Sequence, residues 1–85
     1  MTTSTSEAAR TALEQAIVQV APEADLTLVG PDESLREALD LDSLDFLAVI
    51  EKVAELTGVS VPESDYLQVD SLTGFVGYLE ARMPR

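Results

Sequence analysis

The 85-residue chain carries 16 acidic against 5 basic residues, a net charge of −11, with neither cysteine nor histidine. That length supports one domain with a modest core and no deep substrate cleft, and the charge opposes nucleic acid and stable membrane association. The missing residue types remove thiol nucleophiles, disulfides, most zinc sites and the commonest general base. An enzyme is therefore not expected, and the partners implied are proteins with basic patches. Hydrophobic residues make up 46% of the chain, more than a disordered acidic polypeptide carries, so one folded domain over residues 1–85 is expected. The N-terminus has no basic and apolar signal region and no apolar run nears membrane-spanning length, which makes a cytoplasmic protein the default, with residues 1–4 as a flexible tail.

Taken in order, Ser4 and Glu7 make a capping-box pattern before a stripe of Ala9, Ala12, Leu13, Ala16, Ile17 and Val20 at helical spacing. This predicts a first helix over residues 5–21, closed by Pro22. The segment to Asp42 contains Gly30, Pro31 and scattered acids, with Leu26, Leu28, Val29, Leu35 and Leu39 as apolar pegs. It reads as a long loop pinned to the core, with one helical turn across Ser34 to Leu39, and loops of this length in small domains are more often functional than idle.

A second helix is expected from Ser43 to about Leu56, ended by Thr57 and Gly58. Projection at 100° per residue places Phe46, Leu47, Val49, Ile50, Val53, Ala54 and Leu56 on one half. The other half carries Leu44, Asp45, Ala48, Glu51, Lys52 and Glu55, so an apolar Leu44 sits among charges. Val59 and Val61 form a connector, and Pro62 suits the first position of a short helix through Leu67. Asp70 or Ser71 then caps a last helix with the stripe Leu72, Phe75, Val76, Leu79 and Met83, stopped by Pro84. Gly74 and Gly77 lie off that stripe, each weakening the helix by about 1 kcal/mol relative to alanine, and would permit close approach of a neighbour. The fold class is all-α: a small four-helix bundle of three longer helices and one short one, with a long loop between helices one and two. A bundle of this size is by default a monomer.

Asp42-Ser43-Leu44 opens the second helix. A helix N-terminus offers unpaired N–H groups and about half a positive charge, which favour an attached phosphate by roughly 0.3–1 kcal/mol. The plainer reading is that Asp42 or Ser43 is an N-cap and nothing more. Asp40, Asp42 and Glu51 also occupy positions one, three and twelve of a calcium loop, but Leu44 and Asp45 stand where that loop requires an oxygen ligand and glycine.

The triplet, with Leu47, Ile50, Val61-Pro62 eighteen residues after the serine and a closing amphipathic helix, resembles the acyl carrier protein family from about Ala8 to Met83. The resemblance implies that Ser43 carries 4′-phosphopantetheine, installed through a phosphodiester by a phosphopantetheinyl transferase that uses coenzyme A and magnesium, with Asp42 flanking it at the transferase contact. It implies a docking face of Leu44, Asp45, Glu51 and Glu55 for acyl-transferring and acyl-modifying enzymes. It also implies an acyl pocket between the helices lined by Leu35, Ile50, Val61, Val69 and Phe75, residue types that ordinary core packing explains equally well. Fatty acid, polyketide and specialised lipid or secondary-metabolite pathways all use such carriers. Asp40 departs from the glycine common in the family, and Ala48, Ala54 and Lys52 from the acidic docking helix of primary fatty acid synthesis, which favours a specialised carrier. An aminoacyl or peptidyl carrier and an unmodified acidic interaction module are the alternative readings.

Overall fold

The computed structural model describes the backbone of residues 5–83 and the side chains of residues 7–83. The proposed tail over residues 1–4, the Ser4 cap and the Pro84 stop lie outside the described residues. Helix α1 spans Thr5–Val20, and its Ala9, Leu13, Ala16 and Ile17 are almost fully buried. Spacings of four, three and one keep these four on one face, and two alanines in the stripe let neighbouring helices approach closely. The loop that follows is not irregular throughout. Asp25 caps a 3₁₀ turn at Leu26–Leu28, accepting from the Thr27 N–H at 2.9 Å. Residues three apart eclipse in such a turn, so Leu26 and Val29 both reach the core while Leu28 points away. Leu28 is 81% exposed and is not a peg.

Helix α2 is the short Leu35–Ala38, capped by Ser34, whose hydroxyl accepts from the Glu37 N–H at 3.3 Å. Helix α3 spans Ser43–Thr57 and ends at Gly58 in the left-handed conformation, φ 78°, with the Gly58 N–H donating to the Ala54 carbonyl at 2.8 Å. Its buried face is Phe46, Val49, Ile50 and Val53, narrower than its apolar half; Leu47 and Leu56 stay exposed because only one flank of the helix meets the core. Glu63–Val69 forms a 3₁₀ helix with Pro62 as its N-cap, so it starts one position later than the sequence pattern suggests and ends two residues further on.

Helix α4 spans Leu72–Arg82. Ser71 caps it, accepting from the Gly74 N–H at 3.0 Å, which leaves Asp70 for another role. Tyr78, outside the expected stripe, is buried because its hydroxyl donates to Asp65 at 2.7 Å and so brings no unpaired polar atom inward. The Asp65 hydrogen bond also raises the pKa of the Tyr78 phenol, burial adding to the effect. Gly74 does permit close approach: a Cβ there would lie 2.3 Å from the Gln68 carbonyl oxygen, whereas one at Gly77 meets nothing within 4 Å. Helix α1 packs on both α3 and α4, α4 packs on the Glu63–Val69 helix, and one core cluster runs through all four long elements. The described residues contain no strand, only an isolated antiparallel bridge between Ser34 and Ser71.

Candidate functional site

Ser43 is the first residue of α3 and is exposed. The competition between Asp42 and Ser43 for the cap is decided in favour of Asp42. Its carboxylate accepts from the Asp45 N–H at 2.8 Å and its carbonyl from the Phe46 N–H at 2.9 Å. The Ser43 hydroxyl therefore has no hydrogen-bond partner among the described residues. Asp40, two residues before the cap, has φ 54°. A left-handed residue turns the chain out of α2 and into α3, and aspartate tolerates that backbone better than most residues but less freely than glycine.

A surface cleft of about 490 Å³ opens beside Ser43, lined also by Ser34, Arg36, Glu37, Asp40, Leu41, Asp42 and Asp70. Its organising residue is Asp70. The carboxylate accepts from the Ser34 hydroxyl at 2.8 Å and from Arg36 Nε at 3.3 Å, while the Asp70 carbonyl accepts from the Leu35 N–H at 2.7 Å. These bonds tie the loop before Ser43 to the start of α4. Partial burial pushes the Asp70 carboxyl up, but the bonds from Ser34 and Arg36 and the Arg36 charge outweigh it and hold the pKa below its usual 3.8. The Arg36 guanidinium stacks 5.2 Å from the centre of the Phe46 ring, which itself meets Tyr66 edge-on at 6.2 Å.

A family model described as the phosphopantetheine attachment site matches residues 11–79. The chain belongs to that family. Neither a curated protein nor a solved structure matches it. As a family member, the chain is a carrier for covalent 4′-phosphopantetheine. Carriers of this kind interact in general with phosphopantetheinyl transferases and acyl-handling enzymes, and are generally non-catalytic.

The residues expected to serve such a carrier fall into two sets. Leu44 is 77% exposed at the first turn of α3, and Glu51 and Glu55 are exposed further along, with Asp45 half-buried. Glu55 is not an isolated charge, since Lys52 Nζ lies 3.0 Å from its carboxylate. Leu35, Ile50, Val61, Val69 and Phe75 are all buried and belong to one core cluster. None of them lines the cleft beside Ser43 or the larger one of about 620 Å³ between Ala21 and Asp40. Asp40, Asp42 and Glu51 form no metal-binding group, and no other cluster of three acids does so among the described residues.

Sequence reasoning had no place for Arg36 or for the bonding of Asp70. One signal was available: Arg36 is the only basic residue between Arg10 and Lys52. No helix among the described residues is long and apolar enough to cross a membrane.

Proposed function

We propose that this protein is an acyl carrier whose phosphopantetheine arm is attached at Ser43. The observation that carries the reading is the division of labour at the start of α3, where Asp42 caps the helix and leaves an exposed, unpartnered hydroxyl one residue later. A phosphodiester fits there: the Ser43 and Leu44 N–H groups have no acceptor among the described residues and lie at the positive end of the helix. The arm would supply the thiol that the chain lacks, so that an acyl group is held as a thioester and presented to successive enzymes at high effective concentration.

The proton of the Ser43 hydroxyl would leave to a base on the transferase, since the acids of the cleft are weak bases. Leu44, Asp45, Glu51 and Glu55 would form the docking face, and Leu35, Ile50, Val61, Val69 and Phe75 would part around the acyl chain. Ala48, Ala54 and Lys52 thin out the acidity of the docking helix and support service in one specialised pathway.

Incubation with coenzyme A, magnesium and a broad-specificity transferase is expected to add one phosphopantetheine mass to the wild type and none to Ser43→Ala. An unmodified wild type, or a labelled alanine variant, refutes the assignment.

A further inference from the structure

Any phosphodiester on Ser43 adds negative charge to a surface that is already acidic. The cleft beside it is lined by Glu37, Asp40, Asp42 and Asp70, and by a single cation, Arg36. The other described basic side chains are occupied elsewhere: Arg10 on Glu14, Lys52 on Glu55, and Arg82 over the Tyr78 ring. Arg36 is held in place from two sides. Asp70 takes its Nε and one terminal nitrogen, Nη2, at 3.3 and 3.5 Å, and Phe46 supports the guanidinium plane. The second terminal nitrogen, Nη1, has no acceptor among the described residues, and the side chain remains 38% exposed. A guanidinium fixed along one edge and open along the other is preorganised for a second oxyanion. The two bonds to Asp70 are long for a charge-assisted pair, so the grip can readjust at little cost.

We propose that Arg36 holds the phosphodiester of the group attached at Ser43, with Asp70 as its positioning residue. This rests on the carrier reading of Ser43 and adds a role inside the chain for its loop arginine. The contact would join the prosthetic group to α2, the head of α4 and the Phe46 ring at once. It would also offset local repulsion from the four acids without help from a partner enzyme.

The test compares unmodified and modified protein by mass, by the Arg36 Nε–H resonance and by ³¹P NMR. After transferase treatment the wild type is expected to gain one arm, its Arg36 Nε–H signal to move, and the ³¹P resonance to be displaced in Arg36→Gln with partial restoration in Arg36→Lys. A wild type that gains no arm overturns both the carrier reading and this one. A modified wild type whose Arg36 signal stays in place, or whose ³¹P resonance is the same as in Arg36→Gln, overturns the arginine contact alone. If Arg36→Gln loses its fold with the Phe46 stacking, the wild-type Arg36 signal decides, since it needs no variant.

Discussion

Two neighbouring residues at the start of α3 could each cap the helix, and only Asp42 does. Asp42 makes the capping bond, so Asp42→Ala is expected to cost about 1 kcal/mol in urea unfolding. Ser43 makes none, so Ser43→Ala is expected to change stability by less than about 0.5 kcal/mol while abolishing modification. The reverse ranking would make the serine a cap. Asp40 tests the turn that delivers them. At φ 54° a β-branched side chain is strained, and Asp40→Val is expected to destabilise by about 1–2 kcal/mol, whereas Asp40→Gly should hold or improve the unfolding midpoint. The triplet and the odd residue ahead of it were visible in the chain; which of two adjacent oxygens caps the helix was not, because both side chains can reach the same N–H groups.

Among the elements, α4 shows how two glycines in one helix can have opposite roles. Gly74 sits under the Gln68 carbonyl, where the 3₁₀ helix runs down onto the start of α4. A methyl group there must push backbone aside, so Gly74→Ala is expected to destabilise by about 1–3 kcal/mol. Gly77 faces open space, and Gly77→Ala should stabilise by about 0.5–1 kcal/mol through helix propensity alone. Thermal melts of the two variants give the signs. The four-helix pattern, the Gly58 stop and the buried faces of α1 and α3 follow from apolar spacing. The 3₁₀ turn at Leu26–Leu28 and the burial of Tyr78 do not, since each depends on a partner that local periodicity does not encode.

For the whole molecule, Asp70 links the loop before Ser43 to the last helix across 36 and 34 positions of sequence, through Ser34 and Arg36. Its carboxyl is held below its usual pKa, so the stability it contributes is present above about pH 4, the unfolded value, and is lost as pH falls through the folded one. Urea midpoints of Asp70→Asn should accordingly decline less than those of the wild type between pH 5 and about pH 3. A net charge of −11 acts over a longer range. Salt is expected to slow association with a basic partner such as the transferase. Glu51→Lys, on an exposed acid with no ion pair among the described residues, should slow it several-fold at low salt with the melting temperature unchanged.

Composition and periodicity determined the fold class and the main helices, and the Asp42-Ser43-Leu44 triplet with its family resemblance singled out the serine proposed for modification, because these depend on short-range spacing and on residue types that no packing alters. The tertiary structure decided what surrounds that serine. It settled the cap on Asp42, gathered the loop arginine and the Asp70 carboxylate into one cleft, and buried the proposed pocket residues in a continuous core. Those facts depend on residues brought together from distant parts of the chain, whose pairing no local pattern records.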